Sequence, residues 1–196
     1  LEEVRNALVP LVRGADPRSD GVLHGRTFPD AGQWELSRRL LARMGFAFER
    51  GRLDRSTHPF SLLAGLNDVR LTIRVDERNV SEAVLAALHE GGHGLYDQGF
   101  DPEDRDTLLA EAPSMGLQES QARLWENHVG RARAFWDYAL PSLRELFPEV
   151  VDGLDAEPFY RSVNLVRPGV NRVAADEVSY HLHIVLRYEL EVALIS

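Results

Sequence analysis

Apolar residues recur along most of this chain at helical spacing, and capping or breaking residues cut the pattern into segments. In "DAGQWELSRRLLARMG" (30–45), Trp34, Leu36, Leu40 and Leu41 form an apolar stripe, with Asp30 placed to cap the start and Gly45 to stop the end. "SEAVLAALHEGGHGLYDQG" (81–99) opens with Ser81 as cap, carries Glu82 in its first turn and closes at Gly99. "SMGLQESQARLWENHVG" (114–130) opens at Ser114 and closes near Gly130. Further helices are predicted over 132–147, interrupted at Pro141, over 156–166, ending before Pro168, and over 174–194. The opening "LEEVRNALVPLVRG" reads as one more amphipathic helix.

One segment departs from this period. In "NDVRLTIRVDE", Val69, Leu71, Ile73 and Val75 alternate with Arg70, Thr72, Arg74 and Asp76, which predicts a strand with one apolar face. The preceding "HPFSLLAGLN" supplies a partner strand with a turn at Gly65. The expected architecture is mainly α, with a small antiparallel β element just before the helix over 81–99, in a single domain over residues 1–196.

Composition narrows the function classes. The chain has 196 residues and a formal net charge of -9, which speaks against nucleic acid and against anionic membranes as partners, since both require a basic surface. It has no cysteine, which removes disulfides and thiolate metal sites and fits a cytoplasmic, reducing setting. No apolar run approaches the roughly 18 residues that a membrane helix requires. The first residue is Leu1, and the helical pattern of "RYELEVALIS" is still running at Ser196, so we expect a region excised from a longer chain.

The strongest chemical signal is "LHEGGH", with His89, Glu90 and His93 in the order His-Glu-x-x-His. On a helix, residues four apart share a face, so both imidazoles can reach one ion, while Glu90, rotated by about 100°, stands beside it as a general base for water. Two glycines, Gly91 and Gly92, each cost about 1 kcal/mol against alanine inside a helix. Their presence predicts that another backbone, or a substrate, passes close by. A catalytic zinc site needs a third protein ligand, and Glu111, Glu119, Glu126 and His128 are the downstream candidates. Spacing favours Glu119, which a loop and one turn of a return helix can bring back. Glu111 falls in the connecting loop, and Glu126, two turns further on, is expected to face solvent.

These residues resemble a known family. "DVRLT", "LHEGGHGLYDQG", "LQESQARLWEN" and "NRVAADEVSYHLHIVLRYELE" occur in the order of the Asp-x-Arg-x-Thr, His-Glu-x-x-His, His-Glu-Ser-Gln and Ile-Arg-x-x-Ala-Asp motifs of the Taq-type thermostable metallocarboxypeptidases. The resemblance spans essentially the whole chain. It implies a helical, zincin-type metallopeptidase that removes C-terminal residues from peptides, a zinc cofactor (cobalt being the alternative ion), a homodimer, and Glu119 as the third ligand beside His89 and His93. Two departures stand out: Gln118 replaces the histidine before the ligand, and Asn171 replaces the isoleucine before Arg172. A later aromatic motif of the family, of Gly-Tyr-Phe-Pro-x-Tyr type, does not occur in these residues.

The resemblance also implies a carboxylate clamp. Arg172 is the first choice from its motif position, since the planar guanidinium fork binds a carboxylate bidentately. Arg70 is the second choice, against the plainer reading of a solvated or Asp-paired strand arginine, and the strand that bears it offers an edge to an extended peptide. His183 is a candidate to line the cleft, against a structural histidine, and Asp97, one turn after His93, to orient that ligand. Asp176 and Glu177 read as helix-start acids, His24, His58 and His128 as surface residues, and Trp34, Trp125 and Trp136 as packing anchors. The competing functions are a zinc oligoendopeptidase, which needs no carboxylate clamp, and a metal-binding but catalytically incomplete fragment.

Overall fold

The computed structural model describes residues 1–15, 22–104, 107–172 and 175–196. They fall into two compact units, Gly25–Glu157 and, separately, Leu1–His24 with Pro158–Ser196. Helices dominate both, and a three-stranded sheet lies in the first.

Within Gly25–Glu157 the helix α2 runs from Asp30 to Met44. Its stop is the predicted one: Gly45 takes the left-handed conformation (φ 102°), and its N–H bonds the carbonyls of Leu41 and Ala42. The strands follow as β1 (Gly51–Arg55), β2 (Phe60–Gly65) and β3 (Asp68–Ile73). β2 and β3 form the expected antiparallel hairpin, with Phe60 opposite Thr72 and Leu62 opposite Arg70. The sequence did not disclose β1, which lies parallel to β3 with Leu53 beside Leu71. Only five residues long, with three of them charged, "GRLDR" has no alternation that stands out from a loop. The sheet order β1-β3-β2 makes β3 the central strand, so its two edges are both paired and it has none to offer a peptide, contrary to expectation.

The apolar face read from the alternation is real. Val69, Leu71 and Ile73 are fully buried, in a core shared with Leu41, Phe46, Leu53 and Ala87. That core seats α3 (Val80–Gln98) on the sheet and against α2. Its N-cap is Asn79, with no side-chain capping bond, where Ser81 was expected; Ser81 is instead buried one residue into the helix. α4 (Met115–Arg123) starts as predicted, Ser114 Oγ accepting from the Leu117 N–H, and packs along α3. The expected single helix over 114–130 changes character at Leu124–Val129, where one π-helical turn ends with Gly130 N–H bonding the carbonyl of Trp125, five residues back. α5 (Arg133–Leu146) passes through Pro141 without interruption. Pro141 and Asp137, whose carbonyl loses its helical donor, both lie on the exposed face, where a missing backbone bond costs less than in the core. α5 buries Trp136, Leu140 and Leu143 and rests on α2, with Phe28 edge-on to Phe147 at 5.3 Å.

In the other unit, α1 (Glu2–Gly14) packs on α7 (Glu177–Ile195), joined by an Arg5–Glu189 ion pair. Asp176 caps α7, accepting from the N–H groups of Val178 and Ser179, which is the structural role read for it. α6 (Glu157–Val163) begins at the boundary between the units. Val173 and Ala174, of the motif around Arg172, lie outside the described residues. Among the described residues, no helix is long and apolar enough to cross a membrane.

Candidate metal centre

α3 buries Val84, Ala87 and Leu88 in the core, and this leaves His89 and His93 one turn apart on the side that meets α4. The two rings stand edge to face, with centroids 5.0 Å apart. Glu119 projects from the second turn of α4 toward both. Its Oε2 is 3.4 Å from His93 Nε2 and 3.9 Å from His89 Nε2. Ligand atoms on a tetrahedral zinc ion with bonds of about 2.0–2.1 Å stand about 3.3–3.4 Å apart, so the 3.4 Å spacing suits such an ion, and the 3.9 Å one does once His89 and Glu119 close by about half an ångström. Among the described residues this is the one group of three histidine or acidic side chains that converges in this way. Glu111, the loop candidate, is exposed and outside it.

The electrostatics suit a cation. The imidazole of His93 beside it, against the cost of burial, holds the Glu119 carboxyl down at about 2, so it is ionised as a ligand must be. Glu90 is 6% exposed, and burial raises its pKa, with Glu119 and Glu126 adding to the rise while the histidines oppose it. The burden of neighbouring negative charge therefore falls on the buried Glu90, whereas Glu119 and Glu126 are held ionised by the histidines and arginines beside them.

Glu126 is the residue that sequence reasoning misplaced. Expected to face solvent, its side chain is only 14% exposed and its Oε2 lies 2.7 Å from His89 Nδ1. Arg123 bonds the same oxygen at 3.1 Å, and also bonds Glu119 Oε1 at 3.0 Å. Arg131 approaches Glu126 Oε1 at 3.6 Å. Burial works against the charge on Glu126, but His89 and the two arginines outweigh it and lower its pKa. For His89, burial opposes protonation and Glu126 outweighs it, so its pKa is raised. The signal was present: Glu119, Arg123 and Glu126 are spaced i, i+4 and i+7, one face of a helix.

The glycines answer to packing between helices. A Cβ on Gly92 would stand 2.7 Å from Ala122 Cα and 2.9 Å from the Gln121 carbonyl oxygen, so it is the backbone of α4 that comes close there. On Gly91 the Cβ would meet the ends of Leu41 and Met44 at 2.6–2.7 Å. Gly92 thus sets the distance between the helix that carries the two histidines and the helix that carries Glu119.

Asp97 does not bond His93. It is buried, and it accepts a 3.0 Å hydrogen bond from Gln118 Nε2 on α4. The buried Nδ1 of His93 has no hydrogen-bond partner among the described residues. Gln118 therefore ties α4 to α3 through Asp97. Burial raises the Asp97 pKa, and the Gln118 bond offsets part of the rise.

Of the proposed substrate contacts, Arg70 is exposed on β3 and bound bidentately by Asp68, at 2.9 Å and 2.6 Å, the plainer of its two readings. Thr72, also of that motif, accepts from Ser56 Oγ and the Phe60 N–H and ties β3 to its neighbours. Arg172 and His183 belong to the other unit. Arg172 donates to the Tyr180 hydroxyl at 2.9 Å, and no carboxylate partner for it occurs among the described residues. His183 is half-buried on α7, whereas His181 is exposed. His24, His58 and His128 are exposed as expected, and Trp136 is fully buried.

A sequence profile of the family described as carboxypeptidase Taq (M32) metallopeptidase matches residues 1–196. The chain belongs to this family. Among curated M32-like relatives it is 41% identical over 194 residues to thermostable carboxypeptidase 1 of Thermus thermophilus, covering 99% of this chain and 38% of that protein. It is 36% identical over 197 residues to carboxypeptidase 1 of Bacillus subtilis, covering 99% and 39%. The solved M32 carboxypeptidase of Deinococcus radiodurans is 44% identical and superimposes with a TM-score of 0.90, covering 97% of this chain and 39% of that one. The carboxypeptidase of Pyrococcus furiosus, at 34% identity, also gives 0.90. The chain thus spans about two fifths of the length of these relatives. The mainly helical M32 architecture with a small sheet agrees with the fold class read from the periodicity.

Proposed function

We propose that the protein containing this chain is a zinc carboxypeptidase that removes residues from the C-termini of peptides. The observation that carries the reading is the convergence of His89, His93 and Glu119 beside a buried Glu90. Two imidazole nitrogens and one carboxylate are the donor set of a hydrolytic zinc site, and the family is one of metallopeptidases. When bound, the ion supplies a lowered water pKa and a polarised scissile carbonyl.

The chain's own residues do the rest. His89 and His93 present Nε2, and Glu119 presents Oε2, from two helices held in close contact at Gly92. A carboxylate oxygen of Glu90 takes a proton from the attacking water and hands it to the departing amine nitrogen. Burial fits Glu90 for both halves of that cycle, because its raised pKa brings it nearer to the working pH. Arg172 is the clamp for the substrate's terminal carboxylate, and its neutral Tyr180 partner leaves its charge available, whereas the charge of Arg70 is committed to Asp68. His183 lines the cleft. An extended peptide pairs with an outer strand of the sheet, β1 or β2, since β3 is enclosed. The homodimer and the cytoplasmic setting belong to the same reading.

The test uses the complete protein with two peptides that differ only in a free or amidated C-terminus. A charge-assisted bidentate pair is worth about 1.5–3 kcal/mol, roughly ten- to a hundredfold in kcat/KM. Arg172→Ala is expected to slow the free-acid peptide by that factor and to leave the amidated one, already slow, nearly unchanged. Equal cleavage of both peptides by the intact enzyme refutes the exopeptidase reading in favour of an oligoendopeptidase. Equal slowing of both by Arg172→Ala removes Arg172 as the clamp.

A further inference from the structure

The two histidines of the centre are not held alike. His93 Nδ1 is buried with no hydrogen-bond partner among the described residues, whereas His89 Nδ1 faces the carboxylate of Glu126 at 2.7 Å. Glu126 is itself gripped by Arg123 and Arg131, and Arg123 reaches on to Glu119. A continuous chain of charge-assisted contacts therefore runs from one candidate metal ligand to another: His89, Glu126, Arg123, Glu119.

Resting on the reading that His89, His93 and Glu119 hold the metal, we propose that Glu126 is the positioning residue for His89, and that Arg123 couples it to Glu119. A neutral imidazole carries one N–H and one lone pair. An ionised carboxylate accepts and cannot donate, so Glu126 accepts a hydrogen bond from Nδ1–H, which keeps the proton on Nδ1 and the lone pair on Nε2, directed toward Glu119. This fixes both the tautomer and the ring orientation before any ion arrives. Arg123 fixes the second half: one guanidinium binds both carboxylates, so Glu119 Oε1 is occupied and Oε2 is the oxygen turned to the two histidines. The π-helical turn at Leu124–Val129 carries Glu126 and widens the helix at the point where it meets His89. Glu126 touches no reacting atom; it acts through His89 directly and through Arg123 on Glu119.

Glu126→Gln discriminates well. The amide keeps the size of the side chain, but one of its two ends is now an N–H donor and must face either His89 and Arg123 or Arg131, all of which are donors. In the complete protein, zinc affinity measured by competition with a chelator is expected to fall by about 10–100-fold. The absorption spectrum of the cobalt-loaded variant is expected to shift, because ligand geometry sets it, while the melting temperature of the metal-free protein changes little. A role in folding alone predicts the reverse, a lower melting temperature with an unchanged cobalt spectrum, and overturns the proposal. So does zinc affinity within threefold of wild type. If the E126Q protein does not fold, R123Q carries the test, with about tenfold weaker zinc supporting the coupling and unchanged affinity overturning it. His93→Ala separates this proposal from the reading beneath it: equal zinc in H93A and wild type means that the three residues are not the ligands at all.

Discussion

The substitution Gly92→Ala isolates what the spacing of α3 and α4 does for the centre. An added Cβ would stand 2.7 Å from Ala122 Cα, 2.9 Å from the Gln121 oxygen and 3.1 Å from Ala122 N. All three are backbone atoms, which cannot step aside as a rotating side chain can. To restore an ordinary contact of 3.4 Å, α4 must retreat by about 0.7 Å. Overpacking costs about 1–3 kcal/mol, and the better helix propensity of alanine returns about 1 kcal/mol. The net loss of stability is then at most about 2 kcal/mol, and the protein remains folded. The site suffers more. Glu119 lies two residues before Gln121 on the retreating helix, so its Oε2, now 3.4 Å from His93 Nε2, moves out of reach of a shared ion. Ligand constellations tolerate errors of about 0.5 Å. Zinc affinity of the complete protein, measured by chelator competition, is expected to fall about tenfold or more. Gly91→Ala is the control, because the atoms nearest to its Cβ are the ends of the Leu41 and Met44 side chains, which can rotate away, and not backbone. Zinc binding by G92A within threefold of wild type, or weakening of zinc by G91A as large as by G92A, would show that Gly92 does not set the ligand spacing.

Two further outcomes are expected. Glu90→Gln keeps the metal, as elemental analysis will show, and lowers kcat by about 10²–10⁴-fold, because the amide cannot accept the proton of water; near-normal turnover removes Glu90 as the base. Asp97 has a pKa raised by burial, so the folded state binds its proton more tightly than the unfolded state, and stability is lost as pH rises from the ordinary carboxyl value of 3.8 through the raised folded one. Asp97→Asn removes that dependence, and in unfolding experiments on the metal-free protein its stability relative to wild type should improve as pH rises across that window; a difference that does not change with pH contradicts the assignment.

What the sequence determined by itself was whatever depends on neighbours along the chain. The i, i+4 spacing placed His89 and His93 on one face, the alternation of Val69, Leu71 and Ile73 marked the buried side of a strand, and Gly45 stopped α2 as its position required. Motif order together with spacing singled out Glu119, because a return helix has only a few positions that can face back. The tertiary structure decided everything that depends on which surfaces meet. The strand β1 pairs parallel with β3 through backbone groups that every residue carries, so "GRLDR" gave no sign of it, and the pairing closed the edge of β3. Pro141 stays helical on the exposed face of α5, outside the core where a missing backbone bond would cost most. Gly92 proved to be the seat of another backbone, where the sequence left a substrate equally open. Glu126 looked like a surface acid, because the charge of a residue does not say whether two arginines and a histidine will close over it. Burying that carboxylate is tolerable only with such partners, and those partners are assembled by the packing of α4 against α3.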